Sequence, residues 1–159
     1  DNVFDDAAAA GCRGLIPSLF WNSFAFPDWV GEPRGRLYAD DAEQTSSTWR
    51  EMSTYVDVIV RRYARHPMLL MWELGNEYSN EMDLQPQPNS RIWPKLGTPA
   101  ARTRADNFSS DQLIHLTKTF RGWVRDAEAR VAAPPAPIST GFAVIRDAAV
   151  HLRRTYLHP

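Results

Sequence analysis

"MLLMWELGNE", residues 68 to 77, decides how the rest of the chain is read. Its first part, "MLLMWE" (68–73), is too short for a typical helix and lies between Pro67 and Gly75, so it reads as a buried strand. Two carboxylates, Glu73 and Glu77, close this apolar run, with Asn76 beside the second. Carboxylates are costly among apolar side chains unless something pairs with them or uses them.

On the N-terminal side, residues 48–65 give the clearest helix. Thr48 and Glu51 are spaced as a capping box. Met52, Tyr55, Val56, Ile59, Val60 and Tyr63 then recur at three- and four-residue steps and form one apolar face. Pro67 disfavours helix at His66 and ends the element. Residues 22–47 read as loop, punctuated by Pro27, Gly31, Pro33 and Gly35 and opening with Phe24, Phe26 and Trp29. Before it, "RGLIPSLFW" (13–21) fits a short buried strand, with Pro17 counting against it. An Ala-rich helix from Val3 to Ala10 stops at Gly11. The opening "DNVFDDAAAAGC" resembles the middle or end of a helix, which suggests sequence upstream.

On the C-terminal side, residues 78–108 form a long irregular stretch with five prolines or glycines, at 86, 88, 94, 97 and 99. Loops of this length inside compact domains are usually functional or disordered. Ser109 and Gln112 make another capping box, opening a helix that runs to about Val131. "ISTGF" (138–142) is a further strand, and a last helical piece covers Asp147 to Thr155.

Helices and strands thus alternate, which predicts an α/β fold with a parallel sheet. A doubly wound sheet binding dinucleotides would carry a glycine-rich turn after an early strand; "GCRG" (11–14) precedes its strand instead. In a (β/α)8 barrel the working residues follow strand ends, as Trp21 and Asn22 do after one strand and Asn76 and Glu77 after the next. The chain's 159 residues suit one domain with a real core, while a full barrel takes about 250 residues.

Composition narrows the function classes. The formal net charge is −1 and the arginines are dispersed, so nothing asks for nucleic acid or an anionic membrane. No apolar run approaches the roughly 18 residues of a membrane span. Cys12 is the single cysteine, so no internal disulfide can form. The four histidines, at 66, 115, 151 and 158, lack metal-ligand spacing. No G-x-S-x-G elbow occurs, which leaves Ser139 unsupported as a nucleophile. Trp49, Trp123, Tyr55 and Tyr63 sit at helical spacings and read as packing residues, as does Trp72 behind its strand.

The chemistry centres on the Asn-Glu pair. A carboxyl group held partly out of water keeps its proton near neutrality and can protonate a leaving oxygen. An amide beside it both donates and accepts, which suits a sugar hydroxyl. The plainer reading of Glu77 is a carboxylate favoured by the dipole at a helix N-terminus.

"RHPMLLMWELGNE" (65–77) resembles the fourth-strand motif of clan A glycoside hydrolases, the retaining (β/α)8 barrels that include family 5. "LIPSLFWNSFAFPDW" (15–29) is similar to strand three and its loop in mannanase-like members, and "PISTGF" (137–142) to strand five. The resemblance implies a partial (β/α)8 barrel, about strands three to five with their helices, so that residues 1–159 form an incomplete catalytic domain. It implies that Glu77 is the general acid/base and that Asn76 holds the sugar 2-hydroxyl. Trp21, Asn22 and Trp29 would line the cleft on one side, and Tyr78 and Trp93 on the other. Glu73 would face the barrel interior in support, paired with an arginine.

The implied reaction is double displacement on a β-linked poly- or oligosaccharide, β-mannan or β-glucan-like, with no metal or organic cofactor. The family's nucleophile is a Glu ending strand seven, a strand without sequence here, so the 159 residues alone are expected to show no turnover. Secretion is expected from the family. Two other classes compete: a pseudoenzyme or carbohydrate-binding module that kept the cleft, and an unrelated α/β interaction domain in which the pair is coincidental.

Overall fold

The computed structural model describes residues 3–20, 25–32, 46–78 and 109–141. Trp21, Asn22, Trp93 and the helix expected over Asp147–Thr155 lie outside the described residues. Among those described, the order is α1 (Val3–Ala9), β1 (Ser18–Phe20), α2 (Ala25–Val30), α3 (Ser47–Tyr63), β2 (Trp72–Gly75), α4 (Ser110–Arg130) and β3 (Ile138–Ser139).

The three strands form one parallel sheet in the order β1-β2-β3. Each parallel step needs a crossover, and α3 and α4 supply the two. They pack against each other on one side of the sheet. Trp49, Met52, Val56 and Val60 from α3 and Leu113, Leu116, Phe120 and Val124 from α4 meet Leu19, Phe20, Trp72 and Leu74 from the strands in a single core. The alternation in the sequence is therefore realised as a mixed α/β unit with a small parallel sheet.

The strands are shorter than the apolar runs suggest. Pro17 has no amide hydrogen, so regular pairing in β1 starts only at Ser18, although the Pro17 carbonyl accepts from Glu73 N (3.0 Å). Upstream, Leu15 and Leu69 make an isolated parallel bridge. The second strand is shifted: its regular part is 72–75, four residues later than the start at 68 that hydrophobicity proposes. The third is only Ile138–Ser139.

Two local expectations are corrected. Residues 25–30, read as loop, form the short helix α2, with Pro27 in its first turn where a missing amide hydrogen is harmless. The α3 cap is Ser46, whose hydroxyl accepts from Trp49 N (3.1 Å), and not Thr48. Glu51 is not the acid at this helix start. That place is taken by Glu32, which accepts from Ser47 N (2.8 Å), Thr48 N (3.0 Å) and the Thr48 hydroxyl (2.7 Å). A carboxylate from distant sequence thus satisfies the amides at the positive end of the helix. The α4 capping box of Ser109 and Gln112 forms as the spacing predicts, with both reciprocal bonds present.

Candidate active site

Side-chain alternation divides β2 between two faces. Trp72 and Leu74 are fully buried on the helix side, and the Trp72 indole donates to Glu128 of α4 (3.2 Å). Glu73 points to the other face and is half-buried. In register with it stand Ser18 on β1 and Ser139 on β3, so three polar side chains form a row across the sheet. The Ser139 hydroxyl lies 3.4 Å from Glu73 Oε2 and accepts from Gly141 N (3.1 Å). Among the described residues no arginine meets Glu73; Ser139 takes the place expected of one.

The strand ends at Gly75, where any side chain would collide. A Cβ there would lie 2.6 Å from both the Phe20 carbonyl oxygen and the Tyr78 ring. Tyr78 folds back over this glycine, is 1% exposed, and donates its hydroxyl to the Phe20 carbonyl. It closes the joint between the ends of β1 and β2 and belongs to the core, not to an open cleft wall.

Between Gly75 and Tyr78 the chain exposes Asn76 and Glu77. Glu77 takes a left-handed backbone conformation, φ 57°. Its amide donates to the Gly141 carbonyl at 2.8 Å. One other described non-glycine residue has positive φ, Ala132, which follows the end of α4, where such a residue is routine. Glu77 instead follows a strand, two residues beyond the end of β2. A left-handed residue other than glycine costs on the order of 1–2 kcal/mol, and such strain persists where the surroundings over-determine it, commonly at functional sites. The surroundings here are the Tyr78 clamp on one side and the Gly141 bond on the other.

Gly141 is itself committed by geometry. It has φ 64°, and a Cβ would overlap the Gly75 carbonyl oxygen and come within 2.9 Å of the Glu73 carboxyl carbon. Gly141→Ala is therefore expected to destabilise the protein by about 1–3 kcal/mol, combining left-handed strain with backbone displacement. Urea denaturation with an unchanged m-value checks this; a change below about 0.5 kcal/mol would show that the segment moves aside freely.

The residues singled out in the sequence thus divide. Asn76 and Glu77 follow the carboxyl end of the central strand, and Glu73 lies within it, in register with Ser18 and Ser139. Trp29 is 74% exposed on α2, edge-on to Phe26 (6.0 Å between ring centres). Glu77 is exposed among the described residues, where the acid/base argument asked for partial shelter. Ser139 and Gly141 were not anticipated as parts of the site. The available signal was the glycine just after a short strand, which marks close backbone approach. Among the described residues no cluster of His, Cys, Asp and Glu could hold a metal ion, and no helix is long and apolar enough to cross a membrane. No protein-family model matches the chain, and no curated protein matches it.

Proposed function

We propose that this chain is part of a retaining β-glycosidase of the (β/α)8 type, with Glu77 as general acid/base. The observation that carries the reading is the position of Asn76-Glu77: exposed, conformationally pinned, and placed immediately after the central strand of a parallel sheet. Functional residues of α/β folds gather at that end of the strands. Three consecutive parallel strands fit a barrel segment and one half of a doubly wound sheet alike. The barrel is preferred because no glycine-rich phosphate turn follows β1.

In the proposed reaction Glu77 protonates the glycosidic oxygen as the bond from that oxygen to the anomeric carbon breaks. A second carboxylate, about 5–5.5 Å away, forms the new bond to that carbon. Glu77, now deprotonated, takes a proton from water, whose oxygen displaces the second carboxylate and releases the sugar. Asn76 holds the 2-hydroxyl, and Trp29 offers an aromatic face to the apolar side of a sugar ring.

The second carboxylate is not one of the buried or committed acids described above. Glu73 lies under Gly141, Glu32 caps α3, and Glu128 is buried on the helix side. The resemblance implies that the nucleophile is a Glu ending a seventh strand, which the described residues do not include. The substrate is a β-linked glucan or mannan. The test is the stereochemistry of the product: the polypeptide carrying this segment is incubated with aryl β-glycosides and β-mannan, and the first-formed anomer is read by proton NMR. Retention is expected. Inversion, or binding of mannan without hydrolysis, would overturn the reading, the latter in favour of a carbohydrate-binding module.

A further inference from the structure

We infer that Glu73 is a positioning residue for Glu77, acting through Ser139 and Gly141; the inference rests on the acid/base reading of Glu77. The connection runs without a break through three contacts. The Ser139 hydroxyl lies 3.4 Å from Glu73 Oε2, Gly141 N donates to that hydroxyl at 3.1 Å, and the Gly141 carbonyl accepts from Glu77 N at 2.8 Å. A hydroxyl carries one hydrogen and two acceptor lone pairs. With its hydrogen toward the carboxylate, the Ser139 oxygen is left to accept the Gly141 amide, so the direction of the chain is fixed by its charged end. The Gly141 peptide is thereby oriented, and its carbonyl faces the amide of Glu77, whose backbone is left-handed.

Packing supports the same link. Gly141 sits directly over the Glu73 side chain: a Cβ there would lie 2.9 Å from Glu73 Cδ and 3.0 Å from Cγ. Glu73 thus acts both as a floor beneath Gly141 and as the anchor of the hydroxyl that holds it. The two acids of "MWELGNE" have separate tasks. Glu77 projects from the strand end, and Glu73, four residues earlier on the sheet face, sets the peptide that fixes the Glu77 backbone. The general acid has to be placed within a few tenths of an ångström of the leaving oxygen, and a peptide hydrogen bond at its own amide is the nearest restraint available.

The test measures amide hydrogen exchange by NMR in Ser139→Ala, Glu73→Ala and Ser139→Thr, using the whole polypeptide that carries this segment. Exchange at Glu77 N–H is expected to quicken about tenfold in the two alanine variants, the scale of one lost hydrogen bond. Leu116 and Phe120 in the centre of α4 should keep their protection, and Ser139→Thr, which retains the hydroxyl, should restore the Glu77 value. In parallel, the alanine variants should lower kcat on aryl β-glycosides with poor leaving groups and leave KM unchanged. Unchanged protection at Glu77, or a uniform rise throughout the sheet and α4, would overturn the positioning role. Exchange is read without substrate, so absence of turnover in the parent protein would overturn the glycosidase reading and not this link.

Discussion

Glu77→Gln is expected to lower kcat by about 10²- to 10⁴-fold on aryl β-glycosides with poor leaving groups, the range that one positioned acid/base contributes. The substitution keeps side-chain length and the hydrogen-bond acceptor and removes the transferable proton. Glu77 is exposed and its backbone is held by its amide, a group that glutamine also has, so stability should stay within about 0.5 kcal/mol. The loss should depend on the leaving group. A dinitrophenolate departs without protonation, so glycosylation survives. The second step, which needs Glu77 as a base, then limits turnover and should produce a burst of phenolate followed by a slow phase. Azide needs no general base, and its addition should speed the slow phase and give a glycosyl azide of retained configuration. Wild-type kcat on every substrate would remove Glu77 from the mechanism. A uniform loss, independent of the leaving group and unresponsive to azide, would assign it to binding instead.

The class of the fold was legible because it depends on local patterns. A seventeen-residue helix with an apolar stripe, a capping box at Ser109 and short apolar runs between prolines and glycines are each readable in a window of sequence. The exact strand limits were not, because pairing and not hydrophobicity sets them. Met68, Leu69 and Leu70 are as apolar as any strand, yet Leu70 is 47% exposed and the regular ladder begins only at Trp72. The α3 cap shows a similar limit. Ser46, Ser47 and Thr48 are all good cap residues, and the choice among them follows from Glu32, which arrives from elsewhere in the chain.

The candidate site divides the same way. Asn76 and Glu77 were legible as a contiguous motif at a strand end. Their support was not, because Ser139 and Gly141 reach them only through the parallel pairing of β2 with β3. Tyr78 shows why adjacency in sequence misleads at such a place. One residue from Glu77, it turns inward over Gly75, since that glycine leaves room for a ring where any other residue would not.

The largest structural effect is expected at Glu128, a residue whose place in an ordinary α4 sequence gives no warning of its role. It is 2% exposed. Its Oε1 accepts from the Trp72 indole (3.2 Å) and from Ala136 N (3.0 Å), and its Oε2 accepts from Arg125 Nη1 (2.5 Å). One carboxylate therefore ties α4 to the central strand and to the segment that leads into β3. Glu128→Ala leaves the buried indole and the partly buried Ala136 amide without acceptors. Each such group costs about 1–3 kcal/mol, so a total loss of about 2–5 kcal/mol is expected. Glu128→Gln keeps one acceptor oxygen but turns its amide against the Arg125 guanidinium, and should cost less. Arg125→Ala should cost less than Glu128→Ala, about 1–3 kcal/mol: it takes the counter-charge from a buried carboxylate and a donor from the Ala136 carbonyl, but leaves the two neutral donors paired, and water reaches a site where Arg125 is 31% exposed. Urea denaturation midpoints at constant m give the order directly. If Arg125→Ala proved as damaging as Glu128→Ala, the ion pair and not the two neutral donors would be the source of the stability. If Glu128→Ala cost less than about 0.5 kcal/mol, the carboxylate would not be what holds the helix layer to the sheet.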